Sequence, residues 1–416
     1  MNPSVIEDHL SHVLGVWTLI IVVAHVFGRL ARRMGQPPAV GEIIGGILLG
    51  PSGLGLIRPD WVAYLRGEDI QGSMQLLGKL GLILLLFQVG LEFDFGHLKT
   101  RSKAVLSTSV SGILAPVLAG LAIGPWLHRT FAPDLPLTGF LVFTCVALSI
   151  SALPIMGRIL LERKLERQSF AVLAIGAAAI DDVVGWILLA MASALVTTGF
   201  DPWMVAGQIA GIAAVFLVLT KIAGPFLIRL WRRQRDSFGD DFPPGFVALF
   251  GCVLFLTCMT THHLGIFSLF GAFLLGVALH TERAMAEAWR KRLSALVFTL
   301  LVPIFFTNNG LNTNVLGLDG AGWLGALVVL AAAVAGKLGG CYAGARWAGV
   351  GPLDSLRVAS LMNTRALMGL VAVNVGYGLG LLNRPLFTML VLMCLVTTVM
   401  CGPLLDRCTR GLSTEA

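Results

Sequence analysis

The stretch SFAVLAIGAAAIDDVVGWILLA, residues 169–190, carries two successive aspartates in the middle of an otherwise apolar run. A run of about 20 apolar residues is long enough to cross a bilayer core of about 30 Å. Because a charge at the centre of such a helix costs about 2.5–3.5 kcal/mol on insertion scales, Asp181 and Asp182 require a polar cavity or a counter-charge. The stretch is therefore interpreted as a membrane helix whose middle belongs to a functional site.

The rest of the chain has the same apolar character. Of its 416 residues, 56% are hydrophobic and 13% are charged, and the mean hydropathy is +0.83. This composition excludes an ordinary soluble protein, so the net charge of +7 does not indicate a nucleic-acid partner, and none is expected. Apolar runs predict an all-α polytopic membrane protein with thirteen helices. These lie near 13–30, 38–56, 74–92, 104–126, 137–158, 168–197, 204–228, 244–260, 264–281, 293–310, 321–345, 355–380 and 385–405.

Basic residues are distributed unevenly over the connections between these segments. Of the 30 Lys and Arg residues, 22 lie on the face that holds the connections after odd-numbered segments and the C-terminal tail, and four lie on the other face. Basic residues concentrate on the cytoplasmic side of membrane proteins. We therefore expect an external N-terminus, a cytoplasmic C-terminus and a location in the cell (inner) membrane. The connections are short, so we expect no soluble domain and place the chemistry inside the helices.

Two of the predicted helices contain helix-breaking and polar residues at mid-span. Segment 5, FTCVALSISALPIMGRIL (143–160), has the hydroxyls of Thr144, Ser149 and Ser151 before Pro154, and segment 12, ASLMNTRALMGLVAVNVGYG (359–378), holds Asn363, Thr364 and Arg365. Unwound backbone at membrane depth is tolerated only where it lines a protein cavity.

Breaks at matching positions in two halves of opposite topology are typical of transporters with inverted repeats. We therefore predict a first repeat at 1–200, broken near 144–154, and a second repeat at 241–416, broken near 363–369. A linker helix and a cytoplasmic loop at 201–240 would join them.

A counter-charge for the aspartates is predicted in segment 11, LVVLAAAVAGKLGGCYAGARWAG (327–349), where Lys337 lies near mid-span. Adjacent helical residues point about 100° apart, so the two aspartates cannot share one partner equally. Lys337 would pair with one aspartate, either as a purely structural pair or as part of the mechanism. The other aspartate would bind a proton and a small cation in turn.

The polar residues of the two breaks are expected to support this site. A small cation needs hard oxygen ligands, which the hydroxyls of Thr144, Ser149 and Ser151 and the free carbonyls of segment 5 could supply. Arg365, together with Asn363 and Thr364, is expected to compensate the dipoles of the broken helix ends.

Four stretches resemble the membrane domain of the monovalent cation:proton antiporter superfamily, and they are most similar to the branch of plant cation/proton exchangers and bacterial sodium or potassium/proton antiporters. They are QPPAVGEIIGGILLGPSGLG (36–55, with Glu42 in its usual setting), ALSISALPIMGRILLERKLERQSFAVLAIGAAAIDDVVGWILLA (147–190), VPIFFTNNGLNTNV (302–315) and LMNTRALMGLVAVNVG (361–376).

The resemblance implies a 13-helix fold in which a core domain moves against a dimerisation domain and the breaks of segments 5 and 12 cross. It assigns ion and proton binding to Asp182 and pairs Asp181 with Lys337. The plant exchangers typically carry Asn-Asp where this chain has Asp-Asp, and the double aspartate with a matching lysine resembles electrogenic bacterial sodium/proton antiporters.

The sequence therefore predicts a secondary antiporter that exchanges Na⁺ or K⁺ for protons, with the monovalent cation bound at Asp182. The expected partners are these ions, membrane lipid and a second copy of the chain in a homodimer. A cation channel and a non-transporting sensor on the same fold are the alternatives. An intramembrane enzyme would need a nucleophile with a base or a metal-ligand set inside the helices, and neither is apparent, so no enzymatic activity and no cofactor are expected.

Overall fold

The computed structural model describes residues 3–92, 102–165, 168–197, 202–238, 244–265 and 267–409, and every regular element in these ranges is helical. The predicted all-α class is confirmed. Two short π-helical runs are Leu219–Ala223 and Val297–Leu301. The α-helices are α1 (Pro3–Arg33), α2 (Pro38–Leu49), α3 (Leu54–Ile57), α4 (Pro59–Leu65), α5 (Glu68–Leu91), α6 (Ser102–Phe131), α7 (Leu137–Ser149), α8 (Leu153–Glu162), α9 (Ser169–Thr197), α10 (Pro202–Val218), α11 (Gly224–Phe238), α12 (Pro244–His263), α13 (Ser268–Leu279), α14 (Arg283–Arg292), α15 (Ser294–Leu296), α16 (Val302–Asn312), α17 (Gly320–Trp347), α18 (Pro352–Met362), α19 (Ala366–Gly378) and α20 (Arg384–Thr409).

The predicted number of thirteen membrane crossings is not confirmed by the described residues. Eleven helical stretches of the described residues are long and apolar enough to cross a membrane, and the bent pair α18 and α19 brings the number to twelve. The ninth predicted segment, 264–281, corresponds to α13, whose 12 residues span about 18 Å, less than a bilayer core of about 30 Å. Gly265 has a φ of 77°, the left-handed conformation in which helices often end, so the predicted start of this segment is not helical.

Part of the predicted charge pattern cannot be placed in this fold. Four of the cations behind the predicted orientation, Lys99, Arg101, Arg167 and Arg410, lie outside the described residues.

The chain divides into two compact units. In the first unit, α5 packs against α13 so closely that a Cβ at Gly90 would overlap the carbonyl oxygen of Phe273. Gln88 on α5 also accepts hydrogen bonds from Ser294 Oγ at 2.8 Å and Trp289 Nε1 at 3.3 Å, which fix the short helices α14 and α15. The first unit comprises Met1–Val22, Leu65–Asp94 and Thr198–Phe305, and the second comprises Val23–Tyr64, Phe95–Thr197 and Phe306–Ala416.

The second unit is built around the antiparallel pair α6 and α17, which meet along a row of small residues. A Cβ at Gly340 would overlap the carbonyl oxygen of Ser111, and one at Gly336 would lie 2.8 Å from Cα of Pro116. Small residues let helix backbones approach closely in membranes, where packing rather than the hydrophobic effect holds helices together. This close approach carries Lys337, next to Gly336 on α17, against α6.

Gly340→Ala is expected to destabilise the protein by about 1–3 kcal/mol, the usual cost of overpacking, because the new methyl group meets backbone that cannot move aside. Gly339 is the matched control, since a Cβ there has no neighbour within 4 Å. Gly339→Ala should be neutral or slightly stabilising through helix propensity. Thermal unfolding of the two variants in detergent measures the difference, and equal melting temperatures would contradict the packing of α6 on α17.

Two helices of the second unit are interrupted, and their breaks lie against each other. The first break separates α7 from α8 and the second separates α18 from α19, which bend by 41°. The backbone N–H of Ala152 donates to the carbonyl of Thr364 at 2.8 Å, and Ser151 Oγ donates to the carbonyl of Met362 at 2.9 Å. Pro154 lies in the first turn of α8, where a missing N–H is tolerated, so the helix is broken before the proline.

Candidate functional site

Lys337 is a fully buried cation in the second unit. Its Nζ donates to Oδ2 of Asp181 at 2.6 Å, to the carbonyl of Ser149 at 2.6 Å and to the carbonyl of Gly112 at 3.0 Å. An ammonium group has three donors, so all of them are used. Because α7 ends at Ser149, its last carbonyls have no partner within the helix, and Lys337 caps one of them.

Asp181 on α9 is equally well satisfied. Its Oδ2 accepts from Lys337 at 2.6 Å, and its Oδ1 accepts from Ser109 Oγ at 2.6 Å. Ser151 Oγ lies 3.1 Å from Oδ2, but its single proton is shared with the carbonyl of Met362 at 2.9 Å. Breaking a buried ion pair is costly, and such a pair is well compensated only when its remaining lone pairs also find donors. Ser109 provides such a donor and Ser151 provides a shared one, so Asp181 and Lys337 form a well-compensated, formally neutral pair.

Arg365 is the second fully buried cation. Its guanidinium donates to the carbonyl of Leu148 and, at 2.8 Å, to the carbonyl of Ala333. Leu148 lies in the last turn of α7, so Arg365 and Lys337 both face the C-terminal end of this helix. Positive charge there opposes the negative end of the helix dipole.

Asp182 differs from its neighbour because one of its oxygens is unused. The residue is 2% exposed, and its Oδ1 has no hydrogen-bond partner among the described residues. Asp182 interacts electrostatically with Asp181 and Lys337, but every donor of Lys337 is already engaged. A buried carboxylate oxygen without a donor is unfavourable when the group is ionised. Asp182 is thus the less well satisfied of the two acids.

Comparisons with known proteins identify the family of this chain. The description "Sodium/hydrogen exchanger, transmembrane" belongs to the family profile that matches residues 19–409. This chain belongs to the sodium/hydrogen exchanger family. Members of the family are transporters, which is the class that the buried aspartates and the crossing breaks indicate.

This exchanger-family chain is similar to three proteins whose names state a transport activity. Cation/H(+) antiporter 17 of Arabidopsis thaliana is 36% identical over 409 residues, which cover 96% of this chain and 49% of the plant protein, so the chain spans about half the length of this relative. Na(+)/H(+) antiporter NhaS4 of Synechocystis sp. is 33% identical over 397 residues, covering 94% of this chain and 95% of that protein. The structure of the sodium proton antiporter MjNhaP1 from Methanocaldococcus jannaschii matches with a TM-score of 0.66 and 16% identity over 97% of this chain and 98% of that one, which shows the common fold.

The three residues predicted to supply hydroxyl ligands differ in their hydrogen-bond partners. Ser151 binds Asp181, whereas Ser149 contributes its backbone carbonyl to Lys337 and donates its own hydroxyl to the carbonyl of Val146 at 3.0 Å. Thr144 is buried within α7, and no hydrogen bond joins it to either aspartate in the described part of the chain. Coordination of a cation by these three hydroxyls stays a prediction.

The polar residues of the second break also differ in their hydrogen bonds. Thr364 donates its hydroxyl to the carbonyl of Leu361 at 2.9 Å and so satisfies the end of α18. Asn363 is fully buried, yet neither atom of its amide has a hydrogen-bond partner among the described residues. Arg365 and Thr364 thus contact carbonyls at helix ends, whereas the side chain of Asn363 makes no such contact among the described residues, and dipole compensation by the three residues stays a prediction.

Sequence reasoning missed the contribution of α6 to this site. Ser109 binds Asp181 and Gly112 binds Lys337 from the same helix. A signal was present, because the stretch LSTSVSG (106–112) places four hydroxyl residues within one predicted membrane helix. Hydroxyl groups in membrane helices often bond their own backbone, so this signal alone did not single out Ser109.

Proposed function

We propose that this chain is a secondary active transporter that exchanges Na⁺ or K⁺ for protons by alternating access of a mid-membrane site at Asp182. The observation that carries the proposal is the contrast between the two neighbouring acids. Asp181 accepts from Lys337 and Ser109 and shares the proton of Ser151 with Met362, whereas Asp182 is buried with an unused oxygen. The names of the relatives, which are cation/H(+) and Na(+)/H(+) antiporters, support exchange of a cation for protons.

Competition for one carboxylate explains coupling. A cation requires Asp182 ionised, and a proton removes that charge, so the two ligands exclude each other. Either ligand neutralises the buried site, whereas the empty ionised site is penalised by burial. The switch of the binding site from one side of the membrane to the other is then favoured only with a cation or a proton bound. This is the condition for exchange rather than leak. No enzymatic activity is expected from this arrangement.

The internal pairing of helices supports two inverted repeats at 1–200 and 241–416, with the linker at 201–240. In two such repeats, segments 1–6 correspond in order to segments 8–13, so segment 2 corresponds to segment 9 and segment 3 to segment 10. A contact of segment 2 with segment 10 must then be matched by a contact of segment 9 with segment 3. The second unit has the first contact, α2 on α16, where side chains at Gly46 and Gly310 would overlap the carbonyls of Thr307 and Ile43. The first unit has the second contact, α13 on α5, also through close glycines. The pair α6 with α17 corresponds to itself, and so do the two breaks, which lie against each other.

The setting in the cell follows from the same proposal. The predicted charge asymmetry supports an external N-terminus and a cytoplasmic C-terminus in the cell (inner) membrane. Exposed apolar side chains such as Leu118 on α6 (65% exposed) support contact with lipid. A homodimer is part of the proposal through the resemblance to dimeric antiporters.

Purified protein in liposomes with an imposed pH gradient is expected to dissipate that gradient only when Na⁺ or K⁺ is added. A pH-sensitive dye inside the vesicles measures the flux, choline chloride controls for ionic strength, and empty liposomes control for leak. Cation current without proton coupling, or no response to Na⁺, K⁺ or Li⁺ from folded protein, would contradict exchange.

A further inference from the structure

Two helices of the first unit, α11 and α14, carry a cluster of basic side chains that the exchange mechanism does not use. Residues 224–238 and 282–292 contain eight Lys and Arg residues against three Asp and Glu residues. Asp240 and Asp241, in the connection after α11, lie outside the described residues. The exposed cations, which form the basic cluster, are Arg229, Arg232 and Arg233 on α11 and Arg283, Arg290, Lys291 and Arg292 on α14.

An ion pair and a series of aromatic contacts hold the two basic helices at the same end of the first unit. Arg232 Nε on α11 donates to Oε2 of Glu282, the residue directly before α14, at 2.8 Å. Ring contacts of 5.3, 6.4 and 5.5 Å run from α11 through α12 to α14, and they join in turn four buried residues, Trp231, Phe246, Phe250 and Trp289. The cations of both helices therefore surround one region of the surface.

The helical stretch that ends in α11 is long enough to carry its basic end into the headgroup region of a bilayer. Ala206–Gln234 has 29 residues, about 43 Å, whereas the hydrocarbon core is about 30 Å thick and about 40–45 Å with the headgroups. Along one face, exposed side chains follow each other every three or four residues. Ile222 (65% exposed) and Phe226 (54% exposed) are followed by Arg229 and Arg233. The face thus changes from apolar to basic where acyl chains give way to headgroups.

The basic end of α14 lies at a similar boundary. Arg290, Lys291 and Arg292 come directly before Ser294–Asn312, another stretch that is long and apolar enough to cross a membrane. Leu296 and Phe298 at its beginning are exposed apolar side chains. On both helices, cations therefore stand next to exposed apolar surface.

We propose that the basic cluster binds the headgroups of anionic phospholipids, whose acyl chains lie along the exposed apolar face that leads to Arg229. A guanidinium group binds a phosphate through two parallel hydrogen bonds, and basic pockets beside membrane helices attract anionic headgroups. A zwitterionic headgroup carries its own cation next to the phosphate, so it fits the cluster less well. Lipid binding here does not depend on the exchange reaction at Asp182, which belongs to the second unit.

The test is thermal unfolding in a neutral detergent with choline chloride, titrated with dioleoylphosphatidylglycerol or with its zwitterionic match, dioleoylphosphatidylcholine. The anionic lipid should stabilise the wild type at a lower concentration than the zwitterionic lipid does, and added choline chloride should weaken this preference by screening. Arg229→Gln combined with Arg233→Gln should raise the half-stabilising concentration of the anionic lipid by about 10- to 30-fold. Arg290→Gln combined with Lys291→Gln gives a second reading from α14, with a change in the same direction.

The matched control is Arg58→Gln combined with Arg129→Gln, which removes two exposed cations of the second unit and should leave the lipid titration unchanged. Equal stabilisation of the wild type by the two lipids would overturn the proposal, and so would an equal loss in the cluster variants and the control. If Arg229→Gln with Arg233→Gln changed the oligomeric mass in light scattering but not the lipid titration, the face would belong to a second copy of the chain and lipid binding would be wrong.

Discussion

Asp182→Asn is expected to abolish cation-dependent proton flux in liposomes while the protein remains folded. An amide does not bind and release a proton as a carboxyl group does, and it offers a cation no negative charge. The proton and the cation therefore both lose their binding group. Stability should be unchanged or higher, because a neutral group replaces a carboxylate that is buried with an unused oxygen. Flux with a pH-sensitive dye and thermal unfolding of the same preparation give the two readings.

Asp406→Asn is the control for this substitution. Asp406 pairs with Arg163 at 2.7 Å, but its side chain is 56% exposed, and surface pairs contribute about 0–1 kcal/mol. Flux should persist in this variant. Wild-type flux through Asp182→Asn would move the exchange site elsewhere, and loss of flux in both variants would indicate a general defect rather than a missing ligand.

Lys337→Ala is expected to have the largest effect on stability, about 3–5 kcal/mol, because it leaves the charge of Asp181 buried without its partner. The carbonyls of Ser149 and Gly112 lose their donor in the same step. Thermal and denaturant unfolding in detergent measure the loss. Lys221→Ala is the control, since Lys221 is exposed and truncation there should change stability by less than about 0.5 kcal/mol.

A double-mutant cycle separates the ion pair from the carbonyl contacts of Lys337. Asp181→Asn added to Lys337→Ala removes the stranded charge and should recover part of the lost stability. If the double variant is as unstable as the sum of the single variants, the two residues do not interact and the pair is wrong. Because Lys337 also caps α7, recovery should be incomplete even when the pair is right.

Much of the site could be recognised from the chain alone. Asp181, Asp182, Lys337 and Arg365 stand out because each is a charge inside an apolar run, and the energetic cost of such a charge is a property of its own segment. Crossing of the two breaks was predicted by family resemblance, and the structure places them in contact through the backbones of Ala152 and Thr364.

Other features could not be read from single segments. Cation coordination by three hydroxyls stays a prediction, but their hydrogen bonds could not be read from the sequence: Ser151 donates toward Asp181, Ser149 donates to the carbonyl of Val146, and Thr144 has no hydrogen bond to either aspartate in the described part of the chain. Which way a side chain turns depends on where the helix is interrupted and on what packs beside it. The shortness of α13 depends on the point at which the chain turns at Gly265.

By itself the sequence determined that this protein lies in a membrane, that its apolar segments are helical and which acidic and basic side chains are buried there. It could do so because the free energy of transfer to lipid is a property of each segment alone. The tertiary structure decided that Asp181 is the satisfied acid and that Asp182 keeps an unused oxygen. That choice depends on the rotation of α9 against α6 and α17. Their mutual fit comes from glycine contacts such as Gly340 on Ser111, which join residues far apart in the chain.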